Sequence, residues 1–307
     1  MEIKLNMWDN NVSHCSNIKE AGLRCGVRNN KIPIDYSQKF TWEIKKEIFS
    51  FTHSKGVTVF TDKYFHPKII NSVSSDIKIG LIFEPKGYDP HAYSSAENVE
   101  HLLDFIFTFD EYLLEKNPLK YKFYPADWVC IEKESNKIHP KNKIASMIYS
   151  HKGGMDRTLR GEVANVFGYK LSLYGSGSPN GPLDIKSQSL NDYMFSVVME
   201  NSIADNYYTE KIIDCFITGN IPIYRGCKNI GKFFDKRGII EFNNIEDLRH
   251  ILDSLTPQKY EEMLPYVKIN FELALKYQNP DNILYDLINK CLNNVEYKTI
   301  KEFTYGK

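Results

Sequence analysis

The residues best suited to chemistry cluster in Asn191–Gly226, NDYMFSVVMENSIADNYYTEKIIDCFITGNIPIYRG. Its central loop carries Glu200, Asn201, Ser202, Tyr207, Thr209, Glu210 and Lys211. Thr209 is a good N-cap and Glu210 favours a first helical turn. Lys211 then stands beside unpaired backbone N–H groups at the positive end of a helix dipole, a combination that binds phosphate. Glu210 repels phosphate but can accept hydrogen bonds from ribose hydroxyls, so the pair suits a nucleoside diphosphate. The alternative is a Glu-Lys pair decorating an exposed helix start.

Two further positions join it. In Ser150–Arg157, SHKGGMDR, a strand ends, two glycines turn, and Arg157 begins the next helix, where its fork can clamp the same diphosphate. Arg160, one turn on, competes for that role. Glu84 ends an apolar strand in the N-terminal half and is a candidate general base. Asp89, His91, Glu97 and Glu100 are nearby alternatives, and a surface carboxylate before a turn is the plainer interpretation. No aspartates are spaced D-x-D, and no P-loop, H-E-x-x-H or G-x-S-x-G occurs. A bound diphosphate is therefore expected to be neutralised by Arg and Lys, with no obligatory metal and no cofactor beyond the nucleotide co-substrate.

The elements that must position these groups follow from periodicity. Residues 192–199 are a near-continuous apolar run, expected as a strand buried on both faces. A helix follows Thr209 and stops at Gly219, and Ile221–Tyr224 is the next strand. This is a βαβ unit whose right-handed crossover places loop and helix start at the carboxyl edge of a sheet. Strands are expected at Ile3–Met7, Val57–Thr61, Ile77–Phe83, Asp104–Phe109, Tyr121–Tyr124, Ile144–Ser150, Lys170–Tyr174 and Gly238–Phe242. Helices are expected over Phe40–Phe51, Ala96–Leu103, Met155–Phe167 and Ile245–Leu255, then after Thr256-Pro257 and after Asn279-Pro280. The polar, Lys-rich stretch 131–143 reads as a linker. Two α/β domains facing a cleft result, residues 1–140 and 141–307, with the last helix free to pack back on the first domain.

With 307 residues, 42% hydrophobic and 25% charged, the chain has the composition of a soluble globular protein. Lys+Arg and Asp+Glu both total 39, which argues against a general nucleic-acid binder. No apolar run approaches a membrane span, and no signal peptide is evident. The six cysteines are scattered without a C-x-x-C pair, pointing to a reducing, cytoplasmic setting.

The opening stretch resembles the donor motif of the α1,3/1,4-fucosyltransferases, glycosyltransferase family 10, and its bacterial or viral members in particular. That motif runs F-E-N-S, a few variable residues, Y-x-T-E-K, a helix, then a V-P-V/I-P-I strand near a glycine. Here it stands as Met199-Glu200-Asn201-Ser202, Tyr207-Tyr208-Thr209-Glu210-Lys211 and Ile221-Pro222-Ile223-Tyr224-Arg225-Gly226. The likeness covers about residues 143–245, with Ile82-Phe83-Glu84-Pro85 a fainter match. It implies two Rossmann-like domains of GT-B type, the acceptor on the first and the nucleotide-sugar on the second. It also implies metal-independent, inverting transfer of fucose from GDP-fucose to a glycan hydroxyl, such as that of lipopolysaccharide, O-antigen or capsule. By resemblance Arg157 and Lys211 hold the diphosphate, Asn201, Tyr207 and Glu210 contact nucleotide and sugar, and Glu84 takes the acceptor proton. Met199 and Arg225 depart from the family's aromatics, and Arg225 is a candidate for altered donor selectivity. The basic or amphipathic C-terminal tail of some bacterial members is not evident, leaving only a weak case for peripheral membrane association. The expectation is thus an α-1,3-fucosyltransferase. The alternatives are a transferase of the same fold using another nucleotide sugar, and a non-catalytic nucleotide- or glycan-binding protein.

Overall fold

The computed structural model describes residues 3–8, 40–44, 56–126, 129–150, 157–179, 181, 183–278 and 280–293. Two parallel sheets organise them. The first contains β1 (Ile3–Trp8), β2 (Phe40–Ile44), β3 (Val57–Thr61), β4 (Ile77–Leu81), β5 (Phe105–Thr108) and β6 (Tyr121–Phe123), in the order β2-β1-β3-β4-β5-β6. The second contains β7 (Lys143–Ile148), β8 (Ser172–Tyr174), β9 (Tyr193–Met199), β10 (Ile221–Arg225) and β11 (Ile240–Glu241), in the order β11-β10-β9-β7-β8. In each sheet the chain winds outward once, returns, and continues on the other side of its first strand. The reversals fall between β1 and β3 and between β7 and β9, where loops diverge and leave a crevice at the carboxyl edge.

Helices connect the strands: α1 (Pro67–Ser72), α2 (Pro90–Val99), α3 (Glu111–Lys116), α4 (Arg157–Phe167), α5 (Glu210–Thr218), α6 (Ile245–Asp253), α7 (Pro257–Ala274) and α8 (Pro280–Asn293). Their ends follow local chemistry. Asp110 accepts from the Leu113 N–H, Thr256 from Lys259, and Asn244 from Glu246 and Asp247. Gly219 ends α5 at φ +79°, a left-handed conformation that glycine adopts without penalty. Asp89-Pro90 starts α2 with the same cap-then-proline signal as Thr256-Pro257, so the helix begins earlier than periodicity alone suggested and gives way after Val99 to a 3₁₀ turn.

One element differs in kind. The i, i+4 spacing of Phe40 and Ile44 suggested a helix, but Phe40–Ile44 is a strand registered parallel to β1, Ile3 opposite Phe40. FTWEI is rich in aromatic and β-branched residues, and an available sheet edge outweighs a weak helical spacing. The remainder of that expected helix, 45–51, lies outside the described residues, as does the HKGG turn.

The core lies on both faces of each sheet. Val57, Val59, Ile79, Leu81 and Phe107 of the first sheet pack against Leu284, Ile288 and Cys291, so α8 crosses back to cover the N-terminal sheet. Phe195, Val197, Ile221 and Ile223 pack beneath α4, α6 and α7, and Val198 and Tyr224 pack beneath α5. The polar stretch 131–143 is fastened rather than loose. The Lys141 ammonium donates to the carbonyls of Thr218 (2.8 Å), Asn191 (3.0 Å) and Leu190 (3.1 Å) and caps the end of α5. Cys215, Cys227 and Cys291 are free and buried. Cys130 is disulfide-bonded, which corrects the expectation of uniformly reduced cysteines and removes the compartment argument built on it. Sequence spacing does not say which cysteines a fold brings together. Among the described residues, no helix is long and apolar enough to cross a membrane.

Candidate active site

The donor half is built where β9 ends. Buried on all sides, Glu200 leaves the sheet and folds its carboxylate back over the start of α5. Oε1 accepts from the Thr209 N–H at 2.9 Å and Oε2 from the Thr209 hydroxyl at 2.7 Å. The Lys211 ammonium lies 3.5 Å from Oε2, and the Tyr224 hydroxyl 3.4 Å from Oε1. A buried carboxylate so engaged ties the loop between β9 and α5 to the helix it precedes. Glu200, expected as a donor contact, is fully enclosed here, and its carboxylate is engaged by Thr209, Lys211 and Tyr224. Gly226 is explained by the same carboxylate. A Cβ there would meet Glu200 Cγ and stand 2.5 Å from the Tyr224 hydroxyl oxygen. Gly226→Ala is expected to lose about 1–3 kcal/mol in urea denaturation through overpacking, with no change in fold.

Lys211 occupies the first turn of α5, as expected. Its ammonium donates to Thr209 Oγ1 at 3.0 Å and lies 3.5 Å from Glu210 Oε2. Arg160 reaches the same place from α4. Its Nη2 donates to the Met199 carbonyl at 2.5 Å and to Asn201 Oδ1 at 3.0 Å. The starts of α4 and α5 therefore converge on the end of β9, at the β7/β9 reversal, with a guanidinium and an ammonium between them. Arg157 opens α4, but its side chain lies outside the described residues; Arg160 is the cation whose placement is defined. The Ser202 hydroxyl beside them is buried without a hydrogen-bond partner, a costly state that an oxygen-rich ligand would relieve.

Two of the expected residues make contacts that spacing did not suggest. Tyr207 is buried, its ring centroid 5.0 Å from that of Phe109 just after β5, so it joins the two halves. Asn206 completes that joint with Nδ2 donating to the Phe109 carbonyl at 3.2 Å. Arg225 ends β10 and donates Nε–H to the Asn243 carbonyl at 3.2 Å, which turns part of its fork toward the β11 side.

Sequence reasoning missed the support under Glu210. Lys186, in a 3₁₀ turn at Lys186–Ser189, places its buried ammonium 2.6 Å from Asp214 Oδ2 and 3.7 Å from Glu210 Oε1. Asp214 Oδ1 accepts from the Cys130 N–H at 2.8 Å. Burial pushes the Asp214 carboxyl up to about 6, with Lys186 and the Cys130 N–H opposing the rise. Glu210 and Asp214, four apart on one helix face, were a readable signal; Lys186 was not, because nothing local marks its partner. Asp214→Ala leaves an uncompensated buried ammonium and is expected to cost about 3–5 kcal/mol in urea denaturation.

The opposite half presents Glu84. It follows β4, its carbonyl accepts from the Tyr93 hydroxyl at 3.1 Å, and its side chain is half-buried. Burial raises its carboxyl above the ordinary range; Lys211 across the crevice opposes the rise, while Glu210 and Asp89 add to it. The competing groups are otherwise engaged. Asp89 caps α2 through the His91 and Ala92 N–H groups, Glu97 pairs with Lys116 at 2.9 Å, and Glu100 accepts from the Tyr121 hydroxyl. His91 is exposed in the first turn of α2. Among the described residues, no three His, Cys, Asp or Glu side chains cluster to hold a metal.

Two parallel α/β sheets with facing carboxyl edges, cations on the C-terminal side and a carboxylate on the N-terminal side, define a glycosyltransferase fold of GT-B type. Solved structures agree on the fold. A crystal structure of an α1,3-fucosyltransferase with GDP superposes with a TM-score of 0.57 at 16% identity, covering 96% of this chain and 92% of that one. One with GDP-fucose gives 0.51 at 16% identity, covering 95% and 91%. The chain belongs to glycosyltransferase family 10, the fucosyltransferases, whose C-terminal family model matches residues 138–291. An α-(1,3)-fucosyltransferase, FucT, of Helicobacter pylori is 28% identical over 195 residues, 62% of this chain and 34% of that protein. The chain spans about a third of the length of the curated relatives it matches.

Proposed function

We propose that this chain transfers fucose from GDP-fucose to a glycan hydroxyl, forming an α-1,3 linkage with inversion and without an obligatory metal. The observation that carries this is the approach of Glu84, just after β4, to Lys211 and Glu210 in the first turn of α5, so that charged groups from the two halves act on the Glu84 carboxyl. Lys211 and Arg160 face the diphosphate, and Arg157, the first residue of α4, is the further cation that the family resemblance assigns to it. As the bond from the anomeric carbon to the diphosphate oxygen breaks, its electron pair moves onto GDP, and fixed cations stabilise that charge without reorganising. Glu210, held by Lys186, and Asn201 address the ribose and sugar. Glu84, from the other sheet, takes the acceptor proton as the hydroxyl oxygen attacks the face opposite the leaving group, which inverts the centre. The acceptor in this reading is a lipopolysaccharide, O-antigen or capsule-like glycan. GDP-fucose named with a solved structure of the same fold supports the donor.

A panel of nucleotide sugars in thermal unfolding tests the donor, since a ligand bound only to the folded state raises Tm. GDP and GDP-fucose are expected to stabilise and UDP-sugars not to. Stabilisation by a UDP-sugar alone overturns the donor, and GDP binding without donor consumption favours a binding module. Anomeric configuration of the product by proton NMR tests inversion.

A further inference from the structure

Beside the candidate base, two aromatic rings stand exposed just past the carboxyl edge of the first sheet; Phe123 of β6, 38% exposed, is instead stacked on Phe233 with centroids 5.5 Å apart. Tyr88 is 49% and Tyr112 64% exposed, whereas Tyr93, Phe105, Phe107, Phe109, Tyr121 and Tyr124 are all buried. Tyr88 closes the turn after Glu84, its N–H donating to the Pro85 carbonyl at 2.8 Å. Tyr112 lies in the first turn of α3, directly after β5. Since β4 and β5 are neighbouring parallel strands, both tyrosines leave the same carboxyl edge as Glu84. Lys86 links the two loops, its ammonium 5.9 Å from the centroid of the Tyr112 ring. Glu111, next to Tyr112, pairs with Lys232 of the C-terminal half at 3.2 Å, so the start of α3 borders the crevice between the halves.

We propose that Tyr112 and Tyr88, with Lys86 beside Tyr112, form a platform for a pyranose ring of the acceptor glycan. A tyrosine offers an apolar face and a polar rim, matching a sugar whose axial C–H bonds form an apolar face ringed by hydroxyls. Leaving two rings in water forgoes their burial, which an incoming sugar restores. Their place beside the group that must meet an acceptor hydroxyl selects a glycan as the occupant. The proposal rests on the transferase reading and adds the residues that hold its second substrate.

The test begins with wild-type transfer from GDP-fucose to methyl β-glycosides of galactose, glucose and N-acetylglucosamine, using the best acceptor thereafter. Tyr112→Ala and the Tyr88→Ala/Tyr112→Ala pair are expected to raise the acceptor KM about tenfold or more. The donor KM and the GDP-induced rise in Tm stay unchanged, and Tyr112→Phe retains most of the acceptor affinity. Tyr169→Ala, at a still more exposed ring in the turn after α4, serves as the control and leaves the acceptor KM unaltered. An unchanged acceptor KM in the folded double variant overturns the platform while leaving the transferase reading intact. If wild type binds no GDP and transfers nothing, the transferase reading fails first. Absence of saturation transfer from the protein to any of the glycosides by NMR then overturns the platform as well.

Discussion

Glu84→Gln is expected to lower transfer by about 10²–10⁴-fold while leaving the GDP-induced rise in Tm intact. The substitution keeps size and hydrogen-bonding shape and removes only the capacity to accept a proton. The pH profile adds a second readout. Burial raises the Glu84 carboxyl, so the base is protonated, and transfer lost, as pH falls through a value above the ordinary carboxylate range. The acidic limb of kcat/KM should therefore lie higher than for a solvated glutamate and vanish in the Gln variant. Stability moves the other way. A carboxyl whose folded pKa is raised favours the folded state fully below its unfolded pKa, and that contribution is lost as pH rises through the folded value. At neutral pH the ionised Glu84 is a liability to the fold, and Glu84→Gln should raise Tm slightly. A variant that melts higher yet transfers far more slowly is the pattern of a strained functional carboxylate. Full transfer by Glu84→Gln would remove it as the base.

Lys211→Met is the second large effect, an expected fall of about 10²–10³ in kcat with weakened GDP binding. The ammonium faces both sides: it lies 3.5 Å from Glu200 and from Glu210, and it acts on Glu84 across the crevice. Removing it also takes away the cation 3.5 Å from the buried Glu200 carboxylate, leaving only the Arg160 guanidinium near it, so a drop in Tm accompanies the kinetic loss. The two consequences separate in the pH profile. Lys211 opposes the rise of the Glu84 carboxyl, so in Lys211→Met the acidic limb should shift to still higher pH. A merely structural lysine would lower Tm without moving that limb. Lys211→Arg, which keeps the charge in a different shape, should restore the limb more fully than it restores kcat.

What the chain declares locally is the donor loop and its helix. Thr209 caps, Glu210 and Lys211 occupy the first turn, Gly219 ends the helix, and the apolar runs on either side form β9 and β10. Each of these depends on backbone groups a few residues apart, so spacing alone is enough to specify them. Burial and partnership are different, because they depend on segments distant in sequence. FTWEI satisfies a helical spacing on paper and becomes a strand because β1 offers it an edge. Glu200 and Glu210 look alike in the motif, yet one is enclosed by Thr209 and Tyr224 and the other stands at the helix mouth. Lys186 reaches Asp214 from 28 residues upstream, and the Cys130 N–H reaches it from 84. Glu84 itself was one carboxylate among several until the fold engaged Asp89, Glu97 and Glu100 elsewhere and brought Lys211 to face it. Residue types and short-range hydrogen bonding determined which chemistry the chain carries. The packing of two sheets, edge to edge across a crevice, decided which of those groups act together.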